Sequence, residues 1–124
     1  MVDVAVTGAA GRMGREVLAA AAGRDDCEIA FAVNRSPVAE PIAGVEVESS
    51  DDFEALVADH EPDVVVDFTG PESAVGYASA CAETGVALVT GTTGFDEDGL
   101  AALKGASEST AVLKASNFSR GVAA

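Results

Sequence analysis

The stretch Val2-Asp-Val-Ala-Val-Thr-Gly-Ala-Ala-Gly-Arg-Met-Gly14 decides the fold of this chain of 124 residues. Its first six residues are rich in valine and predict a buried strand that ends before Gly8. A helix is predicted to follow from Gly11 to Arg24, because apolar residues then recur at helical spacing. A strand that leads through a glycine-rich turn into a helix is typical of an α/β domain.

Strand-like and helix-like segments alternate along the rest of the chain. Further strands are predicted at 27–33, 45–48, 63–68, 86–90 and 110–115, with helices at 52–59, between Pro71 and Gly85, and at 96–107. The run Asp63-Val-Val-Val-Asp-Phe68 is almost entirely apolar, as expected of a strand covered on both faces of a parallel sheet. With right-handed crossovers, this order predicts one α/β domain over residues 1–124, a doubly wound parallel sheet of the Rossmann type.

The charge balance excludes several classes of partner. Asp and Glu number 21 against seven Lys plus Arg, which gives a net charge of −14. A surface this negative repels nucleic acids and anionic membranes, and no apolar run approaches the roughly 20 residues that cross a bilayer. We expect neither nucleic acid nor membrane as a partner. The acidity and the scarcity of lysine favour a halophilic protein of a salt-rich cytoplasm; an ordinary acidic protein is the alternative.

The remaining reactive side chains form no catalytic or metal-binding pattern. Cys27 and Cys81 lie in apolar stretches without disulfide or metal-ligand spacing, which indicates small core residues in a reducing cytoplasm. The single histidine, His60, is expected at a helix end, where it interacts with the helix dipole rather than acting as a catalytic acid. Aspartates such as Asp67 are interpreted as strand-end or capping residues rather than bases.

The glycines of the first turn have the spacing G-x-x-G-x-x-G, a variant of the dinucleotide fingerprint. Gly8 permits the tight turn, Gly11 lets the backbone approach a pyrophosphate, and Gly14 lets the helix pack on the strand. The N–H groups and the positive dipole end of the helix start suit phosphates. Arg12 adds a cation there, or is a solvated helix-start residue. The alternative for the whole turn is a plain connection between strand and helix.

Asn34 and Arg35 follow the second strand, where NAD-binding domains place an acid that accepts hydrogen bonds from ribose hydroxyls. Asn34 is neutral and does not repel a 2′-phosphate, and Arg35 can pair with one. The pair therefore predicts NADPH as the preferred cofactor and NADH as the weaker one. In the alternative, Arg35 only balances nearby acids.

Further loops are expected at the carboxyl edge of the sheet, where ligands of doubly wound folds bind. They contain Phe68 and Thr69, then Gly91-Thr92-Thr93-Gly94, then Ala115-Ser116-Asn117-Phe118. Asn117 can hydrogen-bond a nicotinamide carboxamide or ribose, and Phe118 can pack on the ring. For Thr92 and Thr93, turn chemistry and helix capping explain the residues equally well.

Four motifs make the chain resemble the cofactor-binding part of dihydrodipicolinate reductase, an enzyme of the diaminopimelate route to lysine. They are VTGAAGRMG at 6–14, VDFTGPE at 66–72, GTTGF at 91–95 and ASNFSRGV at 115–122. The resemblance implies a cytoplasmic oxidoreductase that uses NADPH or NADH to reduce dihydrodipicolinate (4-hydroxy-tetrahydrodipicolinate) to tetrahydrodipicolinate. The sequence departs from the family pattern at two positions: at Asn34, where the family frequently has an acid, and at Ala123, where it commonly has Asn.

The resemblance also implies roles for individual residues. Gly8, Ala9, Ala10, Gly11, Arg12 and Met13 would bind the cofactor pyrophosphate, and Arg35 beside Asn34 the 2′-phosphate. The other implied cofactor residues, which would lie at the nicotinamide end, are Phe68, Thr69, Gly91, Thr92, Thr93, Ala115, Ser116, Asn117 and Phe118. Thr93 would also reach the substrate.

Members of this family continue into a second domain that binds the dicarboxylate substrate and holds a homotetramer together. On this interpretation residues 1–124 are the dinucleotide-binding domain, the catalytic His and Lys lie beyond residue 124, and the isolated fragment is expected to be inactive. One alternative is a stand-alone NAD(P)-binding module that senses redox state. Another is a different Rossmann dehydrogenase, such as a homoserine-type enzyme, against which the GTTGF and NFS loops argue.

Overall fold

The computed structural model describes residues 2–114, in which six strands alternate with four helices. The strands are β1 (Val2–Thr7), β2 (Cys27–Asn34), β3 (Val47–Ser49), β4 (Val64–Asp67), β5 (Ala87–Thr90) and β6 (Val112–Lys114). The helices are α1 (Arg12–Ala22), α2 (Phe53–His60), α3 (Pro71–Thr84) and α4 (Glu97–Ser107), and a short 3-10 turn (Ser50–Asp52) leads into α2.

All neighbouring strands pair in parallel, in the order β3-β2-β1-β4-β5-β6. This is the strand order of a doubly wound, dinucleotide-binding sheet, and it confirms the predicted fold class. The strand order reverses between β1 and β4. The strands β2 and β3 follow β1 outward on one side of it, and the chain then crosses back to β4, which pairs with β1 on the other side. Ligands of such sheets bind beside this reversal, outside the carboxyl ends of the strands.

Apolar side chains cover both faces of the sheet. Along β1, Val4 and Val6 pack with Leu18 of α1 on one face, whereas Ala5 belongs to the core under α2, α3 and α4 on the other. Val65 of β4 joins that second core. The alternation follows from the two-residue period of a strand, and it explains why the central strands are apolar at nearly every position.

Every predicted element within residues 2–114 is present, with small shifts at the ends. The largest change concerns the strand predicted at 45–48, which is observed at Val47–Ser49. Val45 instead forms an antiparallel bridge with Ile42, closed by backbone hydrogen bonds of 2.9 Å in both directions. Gly85 ends α3 in the left-handed conformation with φ of 72°, as its position after the helix predicts.

Two of the three glycines in the first turn are required by close packing. Gly8 has φ of 68°, and a Cβ there would lie 2.7 Å from the carbonyl oxygen of Phe68. A Cβ on Gly14 would overlap the carbonyl oxygen of Gly8. Gly11 differs, because its Cβ would meet only that same oxygen, at 3.4 Å. The fold therefore explains glycine at positions 8 and 14 but not at 11.

We predict that Gly14→Ala lowers the free energy of unfolding by about 1–3 kcal/mol, the usual cost of overpacking. The added methyl group pushes α1 away from the turn. Urea denaturation measures the effect. Gly76→Ala is the matched control, since nothing lies within 4 Å of its Cβ and Gly76 is in the interior of α3. That variant should gain about 0.5–1 kcal/mol, and similar denaturation midpoints for the two would contradict the packing argument.

Candidate cofactor site

A cavity of about 340 Å³ opens at the carboxyl edge of the sheet, between α1 and the loops that follow β4 and β5. Its lining residues are Gly11, Arg12, Met13, Phe68, Thr69, Gly91, Thr92 and Thr93. All eight belong to the set predicted from the sequence. The fold brings them together from three separate segments, because each segment follows a strand beside the reversal of strand order.

The amino end of α1 forms one wall of this cavity. Gly11 is the N-cap of α1 with extended backbone, no side chain caps it, and the first turn contains no acidic residue. The N–H groups at this helix start therefore suit an anion. The Arg12 side chain is 91% exposed and lies 3.8 Å from Glu16. Such an exposed pair is weak, so Arg12 has the character of a solvated helix-start residue whose guanidinium is accessible.

The rest of the glycine-rich turn is fastened to the end of β2. The Ala9 N–H donates to the carbonyl of Val33 at 3.1 Å, and the Ala10 N–H donates to Oδ1 of Asn34 at 3.2 Å. The Asn34 side chain in turn donates from Nδ2 to the carbonyl of Ser36 at 3.0 Å. Asn34 thus joins the turn to the loop that carries Arg35, a role that its sequence position did not predict.

Arg35 lies exposed at the edge of a second cavity, of about 650 Å³. The amino ends of α3 and α4 line this cavity through residues that include Pro71 and Asp96. Within residues 2–114, no carboxylate forms an ion pair with Arg35, but Glu72, Asp96 and Asp98 line the same cavity, so the geometry agrees with a phosphate partner and with the balancing of nearby acids alike. Burial raises the pKa of Tyr77, and a hydrogen bond to Ser50 and the Arg35 charge partly oppose that rise.

A buried carboxylate lies beneath the two loops that line the first cavity. Asp67, the last residue of β4, has no exposed surface. Its Oδ1 accepts hydrogen bonds from the hydroxyls of Thr7 and Thr69, both at 2.6 Å, and from the Thr69 N–H at 3.3 Å. Its Oδ2 accepts from the hydroxyls of Thr90 and Thr92 at 2.7 and 2.9 Å. We call these five residues the Asp67 cluster.

The Asp67 cluster ties three strands and two loops together. Thr7, Asp67 and Thr90 are register partners on β1, β4 and β5, whereas Thr69 and Thr92 begin the loops beyond them. Asp67 has no path to a ligand, which agrees with its interpretation as a strand-end residue rather than a base. Burial and, to a smaller extent, the Asp67 charge raise the pKa of the nearby Cys81 thiol to about 12.

The structure separates Thr92 from Thr93, which sequence reasoning treated alike. Thr92 is 5% exposed, and its N–H donates to the Thr90 hydroxyl at 3.1 Å, so it takes part in turn chemistry. Thr93 is exposed and lines the cavity. Neither residue caps α4, because Asp96 does so by accepting from the Gly99 N–H at 2.7 Å.

The remaining predictions concern His60, the two cysteines, residues 115–118, and metal or membrane binding. His60 is the last residue of α2, as expected, and its ring centroid lies 5.5 Å from that of Phe31. Cys81 is buried, as predicted, but Cys27 is only partly so. Ala115, Ser116, Asn117 and Phe118 lie outside the described residues. Within residues 2–114, no cluster of three or more His, Cys, Asp or Glu side chains is placed to hold a metal, and no helix is long and apolar enough to span a membrane.

The family model described as dihydrodipicolinate reductase, N-terminus, matches residues 2–118. The chain belongs to the dihydrodipicolinate reductase family. The 4-hydroxy-tetrahydrodipicolinate reductase of Natronomonas pharaonis is 47% identical over 122 residues, which are 98% of this chain and 47% of that protein. The chain therefore spans about half the length of the curated relatives that it matches.

The fold of this chain is similar to those of a dihydrodipicolinate reductase and of a repressor. The dipicolinate-bound dihydrodipicolinate reductase from Paenisporosarcina sp. TG-14 has a TM-score of 0.79 at 25% identity, over 98% of this chain and 49% of that chain. RSP, a Rex-family repressor, has a TM-score of 0.70 at 14% identity, over 98% of this chain and 56% of that chain. The second likeness shows the fold alone.

We predict that Asp67→Asn lowers the free energy of unfolding by about 3 kcal/mol, because an amide nitrogen then faces hydroxyl donors inside the protein. Urea denaturation at pH 7 measures the loss. Asp63→Asn is the matched control, since exposed Asp63 accepts one hydrogen bond, from the Asp3 N–H at 2.8 Å. Its cost should stay below about 1 kcal/mol. Equal costs would show that the Asp67 carboxylate is not the centre of the network.

Proposed function

We propose that this chain is the dinucleotide-binding domain of an oxidoreductase that reduces 4-hydroxy-tetrahydrodipicolinate to tetrahydrodipicolinate in the diaminopimelate route to lysine. The observation that carries the proposal is the cavity in which the glycine-rich turn, the Phe68-Thr69 loop and the Gly91-Thr92-Thr93 loop meet. Membership of the dihydrodipicolinate reductase family supplies the reaction. The bound nicotinamide supplies the hydride, and the protein supplies binding and orientation.

The described residues fit a dinucleotide at this place. Gly11 is the one glycine of the turn that packing does not demand, and a side chain there would occupy the space in front of α1. The helix start has neither a side-chain cap nor an acid. In the proposal, Gly11, Arg12 and Met13 hold the pyrophosphate through this helix end, and Gly8, Ala9 and Ala10 shape the turn.

The proposal assigns NADPH as the preferred cofactor and NADH as the weaker one. Arg35 follows β2, is exposed, and has no ion-pair partner among residues 2–114. Its guanidinium suits a 2′-phosphate, which it can hold through two hydrogen bonds. Asn34 supports this assignment because it places no negative charge beside Arg35, and its side chain positions the Arg35 loop.

The nicotinamide end of the cofactor is assigned to the opposite part of the cavity. Phe68, Thr69, Gly91 and Thr92 would surround the nicotinamide and its ribose, and exposed Thr93 would also reach the substrate. The family motif extends this assignment to Ala115, Ser116, Asn117 and Phe118. These assignments rest on the lining of the cavity and on the position of each motif after a strand.

The whole protein is proposed to contain a second domain. Support comes from the relatives, of which this chain covers 47%. The catalytic His and Lys, the site for the dicarboxylate substrate and the contacts of a homotetramer would lie in that part, so the chain alone should not turn over. The net charge of −14 supports a salt-rich cytoplasm as its location, and it disfavours nucleic acid as a partner.

A redox-sensing module is the second candidate function. RSP, which shares the fold, has been solved with β-NADH and with β-NAD+ and operator DNA. Its low identity to this chain supports the fold alone. The VDFTGPE and GTTGF motifs of this chain resemble those of the reductase family, and the family model matches residues 2–118, which makes the reductase the better supported function.

Calorimetric titration of the chain with NADPH and then NADH, in molar KCl and in dilute buffer, tests the cofactor assignment. We expect tighter binding of NADPH, and Arg35→Ala should weaken NADPH binding by about tenfold or more through the loss of a charge-assisted contact. NADH binding should hardly change. Lys104→Ala is the charge-matched control, on the exposed surface of α4. Equal losses for the two cofactors with Arg35→Ala would refute the 2′-phosphate assignment.

Gly11→Val tests the phosphate end separately. The branched side chain should fill the space before α1 and weaken NADPH and NADH alike, by about tenfold or more, because the pyrophosphate is common to both. Urea denaturation of the same variant should show a smaller loss than Gly14→Ala, since Gly11 has few close neighbours. Unchanged affinity for both cofactors would mean that the glycine turn only connects strand and helix.

A further inference from the structure

The hydroxyl protons of the four threonines in the Asp67 cluster are donated to acceptors inside the protein. Each threonine hydroxyl has one proton to donate. The hydroxyls of Thr7, Thr69 and Thr90 donate to Asp67 at 2.6–2.7 Å. The Thr92 hydroxyl lies 2.9 Å from Oδ2 of Asp67 and 3.2 Å from the carbonyl of Thr69, and the shorter, charge-assisted bond is the stronger. All four protons are therefore held by acceptors inside the protein.

The backbone N–H groups of the same loops are engaged in the same way. The Thr69 N–H donates to Oδ1 of Asp67 at 3.3 Å, and the Gly91 N–H to the Asp67 carbonyl at 2.8 Å. The Thr92 N–H donates to the Thr90 hydroxyl at 3.1 Å. Thr69, Gly91 and Thr92, which we call the threonine wall, thus have their donors turned inward. They offer the cavity oxygen lone pairs, with a buried negative charge behind them.

Apart from exposed Thr93, which also lines the cavity, the two sides consequently have opposite hydrogen-bonding character. The start of α1, at Arg12 and Met13, offers N–H donors and the positive end of the helix dipole, whereas the Gly11 N–H already donates to the Gly8 carbonyl at 3.1 Å. The threonine wall faces it as an acceptor surface. An anion is favoured on the first side and repelled from the second, whereas a donor such as a hydroxyl or a primary amide is favoured on the second.

We propose that Asp67 is a positioning residue that fixes the direction of the cofactor, by turning the threonine wall into a surface that accepts hydrogen bonds only. The inference rests on the proposed function and deepens it. Phosphates would lie at α1, and the threonine wall would take the donors of the nicotinamide nucleoside, which are its ribose hydroxyls and its carboxamide NH₂. Asp67 acts through Thr69 and Thr92 and touches no ligand itself.

Two ligands separate this role from a purely structural one. NADPH reaches both sides of the cavity, whereas adenosine 2′,5′-bisphosphate carries phosphates but no nicotinamide nucleoside. Thr92→Val removes an acceptor and should weaken NADPH by about tenfold, the usual effect of one lost hydrogen bond, with less than a twofold change for the bisphosphate. Thr92→Ser keeps the hydroxyl and should restore NADPH affinity.

Asp67→Asn probes the polarity of the threonine wall. The new amide nitrogen would be a donor at the place where Oδ2 accepts from Thr90 and Thr92. One of these two hydroxyls must then direct its proton elsewhere. The ratio of the NADPH affinity to the bisphosphate affinity should therefore fall. Thr7→Val is the structural control, because Thr7 donates to Asp67 but does not line the cavity. It should lower the denaturation midpoint and leave that ratio unchanged. If Asp67→Asn does not fold, the Thr92 pair decides alone.

The outcomes distinguish the two levels of the argument. If the wild-type chain binds neither ligand, the proposed function fails. If it binds both, but Thr92→Val loses affinity for both equally or for neither, only the role of the threonine wall is overturned. The 3-acetylpyridine analogue of NADPH lacks the carboxamide donor. If the wild type binds this analogue more weakly than NADPH, and Thr92→Val binds the two alike, the carboxamide is the donor. If the wild type already binds the analogue and NADPH alike, the ribose hydroxyls are the donors.

Discussion

The carboxylate of Asp67 is the interaction on which the rest of the structure depends. It has no exposed surface and accepts hydrogen bonds from register partners on both neighbouring strands, β1 and β5. A buried charge without such partners costs several kcal/mol, so the sheet is stable only in the register that supplies them. A slip of one residue would turn Asp67 to the opposite face and away from its donors. The position of both cavity loops follows, because Thr69 and Thr92 bind the same carboxylate.

The glycine-rich turn depends on this arrangement. A Cβ on Gly8 would meet the carbonyl of Phe68, the residue directly after Asp67, so the turn packs against the end of the strand that the carboxylate fixes. Gly14 then brings α1 onto the turn. The distance between the helix start and the threonine wall is therefore set by backbone contacts, with few adjustable side chains. Such a cavity is largely formed before any ligand arrives, which limits the ordering cost of binding.

The sequence predicts most of the fold, because strands, glycines and caps leave local signals: the apolar run before Asp67 and the position of Gly85 suffice for β4 and the end of α3. It misses the bridge of Ile42 with Val45, which depends on a tight turn with few local markers. The cavity lining is predictable from motifs that follow strands. The Asp67 cluster is not, because three of its four threonines lie far from Asp67 in the sequence, on β1 and at or just after the end of β5, and each threonine alone fits a turn. Polar residues ending three buried strands, Thr7, Asp67 and Thr90, were the available signal.

The long sequence separations within the Asp67 cluster affect how the chain folds. Thr7 and Asp67 are 60 positions apart, and Thr92 lies 25 positions beyond Asp67. Contacts this distant require closure of large loops, which costs chain entropy and slows the folding of parallel sheets. A partly folded chain with only β1, α1 and β2 in place has the glycine-rich turn but not the facing wall. The complete cavity is thus a property of the native state alone, so a ligand that fills it draws the folding equilibrium toward that state by mass action.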